Sequence, residues 1–210
     1  MCFSEIARFG VALALSLMFA APVWATNTLD ILHEGYDRYP TVGATISLVR
    51  GGDVVMVVDP GMVRDQTLIT DALAELGLSP DAVTHVFLTH QHPDHTMNVG
   101  LFPDARVIDA YSIYEGDHWG EHRGDGYEIA EGMTLWSTPG HTAEDITLIV
   151  DTGKGVYAIT HLWWHSGLTP VIDPFAEDQS ALEESRARVL EQVDWIIPGH
   201  GGLVANPHKE

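Results

Sequence analysis

The chain has 210 residues and sets 30 acidic side chains against 10 basic ones, a formal net charge of −20. A surface this negative repels phosphate backbones and disfavours a general grip on nucleic acid. Its one cysteine, Cys2, excludes a disulfide framework, so stability must come from a packed core and, where the ligands exist, from bound metal.

Residues 9 to 21 form an apolar stretch between Arg8 and Pro22-Val23-Trp24-Ala25. It is too short for a typical membrane span and has the layout of a secretory signal peptide, with cleavage expected after Ala25 or, alternatively, Ala21. The expected organisation is a leader over 1–25 and one compact domain over 26–210. Loss of the leader removes Cys2, Glu5 and Arg8, so the charge stays at −20. A periplasmic or secreted protein follows, with no stable membrane association after cleavage; an uncleaved anchor is the alternative.

Thr41–Val49 alternates loosely, Gly51-Gly52 reads as a turn, and Val54–Val58 is a dense β-branched run ending in Asp59-Pro60-Gly61. These residues predict a hairpin of two buried strands. Asp65–Leu76 carries apolar residues at 68, 69, 72, 73 and 76, a helical spacing that stops at Gly77. Ser79-Pro80-Asp81 opens a short helical turn before a strand over Val83–Leu88. The loop that follows runs into a short helix after His95, and Arg106–Ala110 is a strand. Tyr111–Gly126, rich in acids and glycines, reads as a mobile surface insertion. Tyr127–Ile129 and Met133–Ser137 are short strands, Ile146–Val150 and Val156–Ile159 a second hairpin, Gln179–Gln192 a helix, and Asp194–Ile197 a final strand. Two similar halves result, each a sheet covered by helices on its outer face.

The polar residues of interest all follow strands. Thr89-His90-Gln91-His92-Pro93-Asp94-His95 places three imidazoles and a carboxylate on the turn after Val83–Leu88. Imidazole and carboxylate suit Zn²⁺, and also Fe or Mn. Histidines at alternate positions of an extended segment point the same way, so His90 and His92 can grip one ion while Asp94 and His95 turn toward a second. The tripeptide Pro-Gly-His recurs at 139–141 and 198–200, each time after a strand, where a loop holds a ligand against a rigid scaffold.

In these motifs the chain resembles the metallo-β-lactamase-fold hydrolases. Thr89–His95 matches their signature, and Asp59-Pro60-Gly61, His141 and His200 fall in the family order. The resemblance covers roughly residues 40 to 205, and the pattern from Glu177 to Gly201 looks most like a compact branch of small members, some of which in animals are assigned to RNA cleavage. It implies an α/β fold, an αββα four-layer sandwich of two mixed β-sheets flanked by helices. It also implies two metal sites, one of His90, His92 and His141 and one of Asp94, His95 and His200, holding two zinc ions or one.

Where many dinuclear members place a bridging aspartate, this chain has Thr160-His161. A carboxylate can coordinate two metals at once through its two oxygens, whereas an imidazole offers one nitrogen to one metal. Three arrangements follow: His161 ligates the second ion, it stands behind the ions while water fills the gap, or the second site is weak and often empty.

The implied chemistry is hydrolysis, since a metal lowers the pKa of its bound water toward neutrality, with Asp94 as the catalytic carboxylate that orients the nucleophile and takes its proton. Trp119, Trp163, Trp164, Tyr111 and Tyr114 are candidates for an apolar substrate pocket, with packing in the core as the equal alternative for the tryptophans. No basic cluster accompanies the ligands. A small ester, lactone or amide, including a β-lactam, is therefore the expected substrate class, with a phosphodiesterase or nuclease as the alternative. A metal-binding protein with a degraded second site and no turnover is the reading from a different class, and a single-iron redox variant a third. His33, His85, His118, His122, His165 and His208 read as structural or surface residues.

Overall fold

The dense run at 54–58 forms an interior strand of the first sheet in the computed structural model, which describes residues 26–209. The leader expected over 1–25 lies outside the described residues. The first half comprises β1 (Thr28–His33), β2 (Tyr36–Arg38), β3 (Thr41–Gly43), β4 (Ile46–Gly51), β5 (Val54–Val58), α1 (Thr67–Glu75), β6 (His85–Phe87), α2 (Pro93–Thr96), β7 (Arg106–Ile108), β8 (Ser112–Glu115) and β9 (His118–Glu121). The second comprises β10 (Tyr127–Ala130), β11 (Met133–Ser137), β12 (Ile146–Asp151), β13 (Val156–Ile159), α3 (Gln179–Gln192), β14 (Trp195–Ile197) and β15 (Val204–Ala205).

One sheet has the strand order β1-β4-β5-β6-β7-β8-β9 and the other β10-β11-β12-β13-β14-β15, while β2 and β3 pair by themselves. Side chains alternate faces along each strand, and the buried residues show the consequence. Met56 and Val58 of β5 and Leu148 and Val150 of β12 meet between the sheets, together with Phe87, Met133 and Leu135. Val57 faces the other way, toward Ile69 and Leu73 of α1. Ile149 likewise faces Leu182 and Val189 of α3. Two sheets with helices outside both is the expected αββα sandwich. Among the described residues no helix is long and apolar enough to cross a membrane.

Strand direction places the loops. β5, β6 and β7 run parallel to one another, as do β13 and β14, and β11 lies antiparallel to β12, which is antiparallel to β13. The carboxyl ends of β5, β6, β11, β13 and β14 therefore gather along one edge of the sandwich. Backbone bonds tie the two halves there: Ile146 N donates to Thr89 O at 2.8 Å, and Thr45 N to Gly199 O at 2.7 Å.

Three expectations are corrected. The single strand over Thr41–Val49 is two, broken where Thr45 turns its N–H out of the ladder toward Gly199. Tyr111–Gly126 is not a loose insertion: β8 and β9 form a hairpin that extends the first sheet, with Trp119 donating from Nε1 to Ser112 Oγ at 2.5 Å. Its acids and glycines masked an alternation too short to stand out. The helix expected after His95 instead starts at Pro93, whose fixed φ suits the first helical position. That start turns Asp94 and His95 away from the line of His90 and His92.

Candidate metal centre

Six histidine rings and one carboxylate converge at this edge. His90 Nε2 lies 3.0 Å from His92 Nδ1, and His141 Nε2 lies 3.2 Å from the same atom. Asp94 Oδ2 stands 3.6 Å from both His95 Nε2 and His200 Nε2. Three donor sets have ligand atoms within 4.8 Å of one another: His90/His92/His141, Asp94/His95/His200, and His90/His95/His161. His161 occupies the middle. Its ring centroid is 4.2 Å from that of His141, 4.4 Å from His90, 4.8 Å from His95 and 5.2 Å from His200, and its Nε2 is 3.2 Å from His200 Nε2. The backbone of Gly199 lies against this ring, where a β-carbon would collide with Cδ2.

The partners behind the rings fix which nitrogen faces inward. His95 donates from Nδ1 to Asp59 Oδ2 at 2.7 Å, His141 from Nδ1 to Asp173 Oδ2 at 2.8 Å, and His200 from Nδ1 to the Gly43 carbonyl at 3.0 Å. Thr89 Oγ1 gives its proton to Asp59 Oδ2 at 2.7 Å and so accepts from His90 Nδ1 at 3.1 Å. Four rings thus present a bare Nε2 to the centre. Such outer hydrogen bonds set the tautomer and orientation of metal-binding histidines. Asp59, with a left-handed φ of 50°, is held by Thr89 N at 2.8 Å. Asp173 also accepts from Trp164 Nε1 at 3.0 Å and Phe175 N at 2.8 Å.

This arrangement fits a metal. Lone pairs of His90 and His141 both face His92 Nδ1, and one proton on that atom serves one of them well, whereas a divalent cation serves all three. His95 Nε2 is buried with no hydrogen-bond partner, which a cation would satisfy. Burial, reinforced by the neighbouring imidazoles, holds His90 and His161 well below the usual histidine range, so both are neutral and ready to coordinate. Burial, opposed by Asp173, lowers His141. Burial with the charge of His95 brings His200 down to about 4. His95 departs from the others: burial pulls it down, but Asp59, Asp94 and Asp145 outweigh that and raise it. That corner therefore draws positive charge. His161 departs in another way, since its Nδ1 is buried without a partner.

Above the centre lies a cavity of about 270 Å³. His92, Asp94, His141, His161 and His200 form its floor, and Asp37, Tyr39, Pro40, Thr41, Val42, Trp164 and Phe175 its walls. Trp164 and Phe175 stack at 5.6 Å with planes 8° apart. Of the five expected pocket aromatics, only Trp164 lines this cavity. Trp163 is buried with Leu182, Val189 and Ile196 beneath α3. Trp119 packs on Tyr114 at 5.2 Å in the β8–β9 hairpin, and Tyr114 turns its hydroxyl to Asp109. Tyr111 is exposed beside them. The two neighbours part company in the irregular segment after β13, Trp163 going under α3 and Trp164 donating from Nε1 to Asp173 at the cavity. Tyr39 and Phe175 were missed because they lie on irregular segments, and Asp37 because its strand of three residues is too short to show a period. Asp173 was missed because it too lies on an irregular segment, 32 residues beyond the histidine it orients.

Comparison with known proteins places these features. The model described as "Metallo-beta-lactamase superfamily" matches residues 39–201. The chain is 33% identical over 188 residues to metallo-beta-lactamase domain-containing protein 1 of Xenopus laevis, covering 83% of this chain and 80% of that one. It is 26% identical over 110 residues to an N-acyl homoserine lactonase of Bacillus cereus, covering 45% of this chain and 43% of the lactonase. A solved N-acyl homoserine lactone hydrolase with N-hexanoyl-L-homoserine bound at its metal centre superposes with a TM-score of 0.62 at 18% identity, over 85% of this chain and 94% of that one.

Proposed function

Because the chain belongs to the metallo-beta-lactamase superfamily of metal-dependent hydrolases, we propose that it hydrolyses a small acyl ester or lactone that carries no anionic group. One observation carries the substrate class. The cavity over the histidines is walled by Tyr39, Val42, Trp164 and Phe175, and among the described residues no lysine or arginine lines it. Away from the metal ligands of the floor, the carboxylate of a β-lactam or the phosphate of a nucleic acid would meet no counter-charge on these walls, and an anion desolvated without one is costly. The Bacillus cereus relative named a lactonase supports an acyl substrate.

In this reading His90, His92 and His141 hold one ion and Asp94, His95 and His200 a second, with zinc as the metal. When bound there, the metal would supply the chemistry of a nucleophilic water at neutral pH and of a Lewis acid toward an acyl oxygen. The Asp94 carboxylate, at the cavity floor, would orient an attacking water and take its proton. The stacked Trp164 and Phe175 hold the acyl chain and exclude bulk water from the reacting carbon. Asp173 acts on His141 rather than on substrate. The apolar layout of residues 9–21 supports reading 1–25 as a secretory leader, and the reading then runs the reaction outside the cytoplasm.

A panel of uncharged esters and lactones, a β-lactam and a phosphodiester, assayed on protein of measured metal content, tests the reading. Turnover confined to the uncharged acyl substrates, and lost with chelator and in Asp94→Ala, is expected. Phosphodiester cleavage without ester or lactone turnover would replace it with the nuclease alternative, and no turnover on any substrate would favour the inert one.

A further inference from the structure

We propose that Asp37 makes the cavity selective for substrates bearing a cationic ammonium group. The proposal rests on the acyl-hydrolase reading above for its chemistry, but the cation subsite stands on separate residues. Asp37 lies on β2, and successive strand residues face opposite ways, so Asp37 lines the cavity while Arg38 turns to a neighbouring depression with Arg64. The ion-paired basic side chains among the described residues engage other acids: Arg50 with Asp30, Arg106 with Glu115, Arg188 with Asp125 and Lys209 with Asp194. None of them neutralises Asp37. A half-buried, unpaired carboxylate thus faces the same space as Tyr39, Trp164 and Phe175.

That combination has a chemical preference. Aromatic faces attract quaternary or primary ammonium through their quadrupole, and a carboxylate at the same site adds direct charge attraction. A neutral ligand gains only the apolar contact. An anion is opposed by Asp37 and by the net charge of −20 around it. The ions bound at the floor repel an ammonium, so the cationic end must lie at the Asp37 and Tyr39 wall while the acyl carbon reaches the floor. Orientation and selectivity then come from one residue. Asp37 is a specificity residue in this scheme and takes no part in bond breaking.

The test compares the acetate esters of choline and of 3,3-dimethylbutan-1-ol, which share a shape and differ by one positive charge, on protein as purified. We expect kcat/KM to favour the cationic ester by about tenfold. In Asp37→Asn the ratio should fall to near one, and Asp37→Glu should restore most of it. Raised ionic strength should shrink the ratio in the starting protein. A ratio near one in the starting protein, or one unchanged in Asp37→Asn, would overturn the proposal. If neither ester is cleaved, the acyl-hydrolase reading fails for these substrates, and binding still decides the subsite. An NMR titration with choline and with 3,3-dimethylbutan-1-ol should show choline bound more tightly and weakened about fivefold by Asp37→Asn; equal binding of the two alcohols would overturn it.

Discussion

The carboxylate of Asp173 stands 2.8 Å from Nδ1 of His141 although 32 residues separate them, and both side chains are buried. The contact fixes the proton on Nδ1 and leaves Nε2 bare toward His92. Asp173→Asn keeps the shape and removes the charge, so the ring loses both its anchor and part of its basicity. Zinc affinity should fall by about tenfold or more, measured by competition with a coloured chelator, while far-UV circular dichroism stays unchanged. Unaltered affinity would mean that Asp173 only seats the loop carrying Trp164 and Phe175.

The metal-free protein should lose stability in acid. Unfolded histidines take up protons below about pH 6.5, whereas in the fold burial brings His200 down to about 4 and holds His90 and His161 lower than usual. Between those values the unfolded state binds more protons, so stability rises with pH across that window and drains away as pH falls through it. Asp145 opposes the trend. Burial raises it from 3.8 to about 7, so the fold binds its proton more tightly and gains from acid in the same range; His95, raised in the fold, acts in the same sense. The lowered histidines outnumber these two. Thermal midpoints of chelator-treated protein should therefore fall from pH 7 to pH 4.5, and more steeply in Asp145→Asn. A flat profile would show that these rings are solvated.

Much of this centre was legible because ligands follow strands. His90, His92, Asp94 and His95 sit within six positions, and the two Pro-Gly-His turns announce His141 and His200. The hairpin at 46–58 and α3 were legible for the same reason, a periodic run with sharp ends. Asp37, Tyr39, Asp173 and Phe175 were not, since their roles come from long-range packing of irregular segments and of one strand too short to carry a pattern. β1 escaped too: its residues are half-buried on an edge and alternate weakly. A mixed, exposed stretch carries little pattern until its neighbour is known.

Gly199 has no room for a side chain, because a β-carbon there would strike the His161 ring. Gly199→Ala should push that imidazole off its position and cost about 1–3 kcal/mol through overpacking. Shrinking the ring should remove most of that cost, so in a His161→Ala background the same change should be nearly silent. A double-mutant cycle by denaturant unfolding measures the coupling. Simple additivity would mean that the backbone at 199, and not the ring, resists the substitution.

The number of ions the centre keeps should depend on His161. It sits among four other imidazoles, neutral, with Nε2 toward His200 and Nδ1 unpartnered. An imidazole there adds no negative charge to offset a second divalent ion, and one nitrogen cannot serve two ions as two carboxylate oxygens can. The first ion should therefore bind tightly at His90, His92 and His141, and the second more weakly. His161→Asp supplies both the charge and the second oxygen, and should tighten the second ion by at least about tenfold, on the order of 1.4 kcal/mol. The same change buries a carboxylate in the metal-free protein, so its thermal midpoint should drop without metal and recover with it. Elemental analysis of protein purified without added metal, followed by zinc titration of both chains, reads this directly. Two equally tight ions in the starting protein, with no gain in the variant, would mean that His161 already completes the second site.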